Sequence, residues 1–503
     1  MKIKAERGCD RLFLPVYEGT ETQKLNIFSQ GVQKYEFDVV PEGKLLYETT
    51  LPLTEGEELE LNGTFPDNFW EQVHIGCAAE ESQPETGSRP AVHFTARVGW
   101  INDPNGLVYQ DGTYHLYYQY NPFGVQWGNM CWGHATSRDL LHWSEEAVAM
   151  YPDENGTMYS GSGIRNDRGM LGFPADALLF FYTAAGGRNA WSGDRLFTQR
   201  MAYSLDGGHT LQKTDRGMVS TIGDDSRDPK VFWHEESQSY VMVLWLVGNE
   251  FGILRSTDLE SWKLSDRVTL PEAWECPDLV CLTEENGEKH WAFSSADGYY
   301  FWGKFDGYHF TPEEGDTFVQ HMLYANRVAY AAQTYSGVPG RTVFVPWLRL
   351  PNAGRNYTGG MGIPRELSAH RGADGSLRIA ASPIAEWTAN KVDTRMESQQ
   401  VLWKNAAVQA MELDVHYEAD DVMAWRINGT EITLDASNEI LTVGSGSIAL
   451  TSKSDTLELL IDGGILEVTG EDGCLVAMFE LAENTTYIER LSGDITKMHL
   501  YTT

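Results

Sequence analysis

The chain has 503 residues, enough for two to four domains at roughly 100–200 residues each. Its 38 basic and 72 acidic residues leave a formal charge of −34. A surface of that sign repels phosphate backbones and anionic lipid, and no Lys/Arg-dense block offsets it, so no nucleic-acid or membrane partner is expected.

A hydrophobic share of 42% excludes wholesale disorder. The 49 glycines exceed the ordinary share of about 7%, and 16 Trp, 23 Tyr and 20 Phe accompany them. Together these predict an all-β chain of aromatic-bearing strands and tight turns. The six cysteines are scattered except for Cys276 and Cys281, and no CxxC occurs, so neither a zinc ribbon nor a disulfide framework is expected. The opening MKIKAERGCDRLFLPVYEG holds no apolar run of signal-peptide length, and stretches such as YVMVLWLV at 240–247 fall short of a bilayer. The expectation is a soluble, cytoplasmic protein.

In chain order, residues 1–88 predict a small N-terminal β module. KLNIFSQ, QKYEFDVV, KLLYETTLPL and EELELNG are strand-sized and separated by EGT, PEG and TEGE. AAEESQPETGSRP at 78–90 predicts a linker. From His93 a unit begins to repeat. One copy opens at Asp103-Pro104, turns at Asp111-Gly112 and closes on SRDLLHW at 137–143. Another opens at Asp228-Pro229 and closes on STDLESW at 256–262. Others cover 158–210, 275–310 and 330–367. Repeats of about 40–60 residues with several short strands each are a propeller signature, so a five-bladed β-propeller is expected over 89–385. The last stretch, 386–503, alternates as VQAMELDVHY, EITLDA, TLELLID and ILEVTG, which predicts a C-terminal β-sandwich.

Inner strands of propeller blades converge on one axis, so acids at the blade starts would meet there. Those acids are Asp103 in WINDPNG, Asp228 in SRDPK and Glu275 in WECPDL. A single Asp-Pro is equally well a turn former, but three acids at matched positions point to a site. Carboxylates in an aromatic-lined hole either hold a divalent cation or work on a glycosidic bond. No DxDxDG-type loop supplies the further ligands a cation wants, so no metal is expected. His134 and His142 have no partner histidine at metal spacing and predict packing roles. Trp132, Trp143 and Trp262 predict blade-core plugs. Trp274 and Cys276 would desolvate Glu275, while Arg227 would keep Asp228 charged.

HFTARVGWINDPNG, YHLYYQYNP, WGHATSRDLLHW, the SGS of MYSGSG, SRDPKVFW and ECPDL, in this order, resemble glycoside hydrolase family 32, the invertases, levanases and exo-inulinases. The resemblance is dense from His93 to PREL at 364–367, weaker in LLIDGGILEVTGEDG, and absent over 1–88. It implies a retaining enzyme that releases terminal β-fructofuranosyl units from fructans or sucrose without a cofactor. It implies Asp103 as nucleophile, Glu275 as acid/base and Asp228 as transition-state stabiliser, with Asn102, Gln119, Trp127, Ser160 and Arg227 around the fructose. Fructosyl transfer, hydrolysis of sucrose 6-phosphate with Arg165 or Arg188 as cationic subsite, and a non-catalytic sugar-binding propeller are the alternatives. Association into homo-oligomers through the accessory domains stays open. Two places depart from the family pattern, Tyr324–Val328 and Tyr357, and both are expected at the pocket mouth.

Overall fold

Antiparallel hairpins succeed one another throughout the computed structural model, which describes residues 1–81, 89–313, 322–372, 375–396, 398–405, 410–450, 455–483, 485–493 and 497–501. The proline-interrupted part of the expected linker, 82–88, lies outside the described residues. Among the described residues the α-helices are two short turns, Asp67–Gln72 and Ala385–Ala389. The chain is all-β.

The first strands form two small sheets. One joins Lys2–Lys4, Glu58–Asn62, Gln23–Ser29 and Val32–Val39, and the other joins Leu45–Pro52, Arg11–Tyr17 and His74–Gly76. Beyond them come five sheets, each built on a run of four antiparallel strands, starting at Gly99–Gln110, Thr157–Arg165, Arg227–His234, Asp278–Thr283 and Ala329–Thr334. The last of these returns to the first. Tyr357 and Thr358 pair in parallel with Gly99 and Trp100, and Ser336 exchanges hydrogen bonds with Leu107 and Tyr109.

The repeated S-x-D-L sequence makes the same turn twice. Ser137 Oγ accepts from Leu140 N at 2.8 Å, and Ser256 Oγ accepts from Leu259 N at 2.8 Å. Asp139 and Asp258 then accept from the backbone of His142 and Ser261. These side-chain caps hold Leu140 and Leu259 at φ of +66° and +61° and drive both leucines into the core. Trp132 is fully buried, whereas Trp143 and Trp262 are half-buried and pack on core clusters. His134 is also buried, stacked 4.2 Å from the Tyr117 ring.

Two six-stranded sheets close the chain. Their inner faces bury Trp425, Leu413, Ile432, Leu459 and Ile488 in one cluster. This C-terminal pair is bolted to the preceding sheets through buried charge. Asp462 accepts from the backbone of Ala91, Val92 and His93, and its side chain lies 2.9 Å from His93 Nδ1. Glu467 takes His93 Nε2 at 3.1 Å and Arg365 Nη2 at 2.6 Å.

Two expectations change here. Residues 324–326 face the C-terminal sheets, not the pocket mouth. Tyr324 is fully buried, Ala325 N donates to Val476 O at 2.7 Å, and Asn326 Nδ2 donates to Met478 O at 2.6 Å. Tyr357 is likewise buried, with the Arg89 guanidinium 4.6 Å from its ring centre. The N-terminal strands also share a core with the chain beyond His93. Leu12, Leu14 and Phe37 belong to one apolar cluster with Leu116, Tyr120 and Phe123.

Candidate active site

Four of the five first strands break register at the same level. Ile101 pairs with Tyr120 and Pro104 with Tyr118, leaving Asn102 and Asp103 opposite a single residue. Tyr159 and Ser160, Asp228 and Pro229, and Ala331 and Ala332 occupy the same irregularity in their strands. Such a bulge re-aims side chains that would otherwise alternate across the sheet. Proline fits there because a broken ladder does not need its missing N–H. Asp-Pro in this chain is therefore a bulge signature more than a turn. Asp228, Glu275 and Cys276 adopt φ of +66°, +50° and +37°, left-handed backbone without glycine, held by the surrounding sheets.

These strand ends enclose a cavity of about 350 Å³. All eight residues singled out in the sequence line it: Asn102, Asp103, Gln119, Trp127, Ser160, Arg227, Asp228 and Glu275. Tyr159, Arg188, Asp225, Tyr330 and Trp347 also line it. Of these five, only Arg188 stands out in the sequence, as a candidate cation. Tyr330 and Trp347 lie next to the fourth bulge, in YAAQTY and VPWL, where no acid marks the blade start.

Asp103 is the most directly supported carboxylate. Ser160 Oγ donates to its Oδ2 at 2.6 Å and Asn102 Nδ2 to its Oδ1 at 3.1 Å, while Trp100 Nε1 holds Asn102 at 2.9 Å. Burial pushes the Asp103 carboxyl above its usual range, and these two donors oppose the shift. Cys276 lies between two acids, its Sγ 3.6 Å from Asp103 and 3.5 Å from Asp228, and its N–H donates to Asp228 at 3.1 Å. Burial and the adjacent carboxylates push the thiol up, which disfavours the thiolate that a nucleophile requires.

Arg227 favours the ionised form of Asp228 as expected, but it is shared with Glu275, and burial outweighs it. Its Nη2 donates to Glu275 Oε1, and its Nε is 3.9 Å from Asp228. Tyr330 OH donates to Glu275 Oε2 at 3.0 Å. Trp274, expected to desolvate Glu275, is 41% exposed and meets Trp245 at a tilt, with ring centres 5.0 Å apart. Asp228 carries the strain of crowding. Burial pushes its carboxyl well above the usual range; Arg227 opposes this, and the charges of Glu275 and Asp103 add to it.

A second cavity of about 610 Å³ is lined by the far ends of the same strands, including Arg165, Lys230, Trp233, Asp278 and Thr334. Arg165 thus lies away from the acids, and Lys230 is spent on Thr334 and Asp278. The acids therefore mark the smaller cavity as the site.

Residues 93–380 match the model of the glycosyl hydrolases family 32 N-terminal domain. The chain belongs to glycosyl hydrolase family 32. Among curated relatives, the levanase of Bacillus subtilis is 35% identical over 363 residues, covering 66% of this chain and 51% of that protein. The extracellular exo-inulinase of Aspergillus awamori is 34% identical over 369 residues, covering 63% of this chain and 67% of its own. The chain thus spans about half the length of the levanase. The crystal structure of the Aspergillus awamori exo-inulinase superposes with a TM-score of 0.70 at 24% identity, covering 84% of this chain and all of that one. A family 32 glycoside hydrolase of Bifidobacterium adolescentis covers 100% of this chain and 99% of its own, with a TM-score of 0.66 at 19% identity. These likenesses establish the family's propeller-and-sandwich fold. No helix among the described residues is long and apolar enough to cross a membrane.

Proposed function

We propose that this chain is a retaining, exo-acting β-fructofuranosidase that removes terminal fructosyl units from fructans, fructo-oligosaccharides or sucrose. The carrying observation is the set of three acids, Asp103, Asp228 and Glu275, gathered at one end of the sheet array with donors already aimed at them. The five consecutive sheets read as the blades of one propeller over 89–385, followed by a sandwich over 386–503, with residues 1–88 an accessory β unit. In this reading the chain needs no cofactor, and its partner is the carbohydrate.

Asp103 attacks the anomeric carbon of the fructosyl unit, forming a glycosyl-enzyme bond as the bond to the leaving oxygen breaks. Glu275 donates a proton to that oxygen and then takes one from water, which releases fructose with retained configuration. Asp228 accepts hydroxyl hydrogen bonds that strengthen as positive charge grows on the ring. Asn102, Gln119 and Arg227 surround the ring with polar groups, Trp347 supplies an apolar face, and Trp127 stands at the exposed rim.

A purely sugar-binding propeller has no use for three converging acids. A phosphorylated sucrose would want an unengaged cation, whereas Arg188, the arginine in this cavity besides Arg227, stands 3.8 Å from Asp225. Water or a second sugar can resolve the same intermediate, so transfer differs from hydrolysis only in the acceptor.

In this reading the pocket takes one terminal ring, so attack is expected at chain ends. In a time course on inulin and levan, fructose should appear alone from the earliest points. Early di- or trisaccharides would sink the pocket model. The acid limb of kcat/KM provides a second check. Ser160 favours the ionised form of Asp103, so Ser160→Ala raises that carboxyl further, and activity requiring the anion should be lost at higher pH than in the parent. An acid limb that stays in place would remove Asp103 as its origin.

A further inference from the structure

The rim of the cavity is held by strands outside the matched family region. Strand Val32–Val39, at the edge of the N-terminal four-stranded sheet, reaches two loops at once. One is 122–130, which carries Trp127. Asp38 N donates to Asn129 Oδ1 at 2.8 Å, Asn129 Nδ2 returns to Asp38 O at 2.9 Å, and the Phe37 ring stacks 3.9 Å from Phe123. The other is 186–197, which carries Arg188. Ala190 N donates to Glu36 Oε1 at 2.7 Å. Glu36 is buried, with Lys24 Nζ 3.6 Å from the same oxygen, so the loop is tied to a side chain that is itself held in place.

Trp127 is 54% exposed, and the Arg188 side chain is 51% exposed, whereas Asp228 and Gln119 at the floor are almost fully buried. A fructosyl ring seated on the acids therefore leaves Trp127 and Arg188 to meet whatever is attached to it. We propose that Glu36, Phe37 and Asp38 are positioning residues that set the leaving-group side of the pocket. The N-terminal sheets thereby determine which sugar is accepted beyond the terminal fructose. This inference rests on the fructosidase reading for its substrate class, but the bracing itself does not.

The test compares Glu36→Ala, Glu36→Gln, Phe37→Leu and the control Phe69→Leu, whose ring packs on Phe65 and Tyr17 in the same N-terminal region. KM and kcat are measured on sucrose and 1-kestose, together with the inhibition constant of free fructose. Glu36→Ala and Phe37→Leu should raise KM for 1-kestose by about tenfold with little change in kcat, as expected when a positioning group is loosened. Fructose inhibition should stay at the parent value, because fructose occupies only the floor. Glu36→Gln keeps the acceptor oxygen and should restore most of the affinity, and Phe69→Leu should leave KM unchanged. An unchanged KM in both loosened variants would overturn the inference. So would fructose inhibition weakening in step with KM, which signals general damage. Amide exchange separates this from failure of the functional reading. If the parent hydrolyses no fructoside, that reading falls, yet loops 122–130 and 186–197 should still exchange about tenfold faster in Glu36→Ala. Unaltered exchange would overturn the bracing whatever the substrate.

Discussion

Asp103→Ala is expected to lower kcat/KM on sucrose by roughly 10⁴-fold or more while leaving the fold intact, because no covalent path remains. Folding should survive: the backbone at Asp103 is fixed by the bulge between Ile101 and Pro104, and its side chain mainly receives donors from Ser160 and Asn102. Glu275→Ala should cost about 10²- to 10⁴-fold on the same substrate, the usual range for a lost general acid. The two variants should part on fructosyl fluoride, whose leaving group needs no proton. Glu275→Ala should recover much of its first-step rate there, and Asp103→Ala should not. The measurement is steady-state and burst kinetics on both substrates, with circular dichroism to confirm folding. Near-parental activity of Asp103→Ala would refute its role as nucleophile, and equal losses of Glu275→Ala on both substrates would remove Glu275 as the acid.

The other large effect concerns stability. His93 has both ring nitrogens on carboxylates and its side chain fully buried against Asp462 and Glu467. Burial works against charging the ring, but the hydrogen bonds to Asp462 and Glu467 win and raise it to about 9. A folded-state value above the ordinary 6.5 means that this stabilisation is complete below about pH 6.5 and fades as pH rises through about 9. Glu467 has the opposite sense. Burial opposes its charge, yet Arg365 and His93 hold it down to about 2, so its contribution is present above the ordinary carboxylate range and lost as pH falls through about 2. Stability should therefore be greatest in mildly acidic solution. His93→Ala should cost about 3–5 kcal/mol at pH 6, because it leaves two buried carboxylates short of a partner. At pH 9.5 the penalty should shrink. Urea melts of parent and variant at both pH values decide this, and a penalty independent of pH would show that the imidazolium charge is not what holds the joint.

Much of the site could be read from the chain because local chemistry encodes it. The S-x-D-L turns are made by hydrogen bonds spanning three residues, so their repetition announces repeated sheets. Asp-Pro marks two of the bulges because the acid needs re-aiming and the proline needs a broken ladder. The three acids stand out as blade-start residues of the repeat, whereas Asn102, Gln119 and Ser160 enter only through the family resemblance.

What the sequence by itself determined, then, is the all-β character, the repeat and the acids that gather around one cavity. Tertiary structure alone decided how charge is shared among them. Arg227 stands next to Asp228 in sequence and within 3.9 Å of it in space, yet its hydrogen bond goes to Glu275, 48 positions on, across two neighbouring sheets. Tyr330 reaches Glu275 from 55 positions away, with no acid to flag it. Residues 324–326 are ordinary in composition, and only analogy points them to the mouth; hydrogen bonds from Ala325 N and the Asn326 side chain to the C-terminal sheets put them elsewhere. The N-terminal strands resemble nothing in the family motifs, yet they end against the loops that frame the cavity. Hydrogen bonds within a few residues are written into a motif, whereas ion pairs and buried contacts depend on which strands the fold makes neighbours, and no single stretch of the chain carries that information.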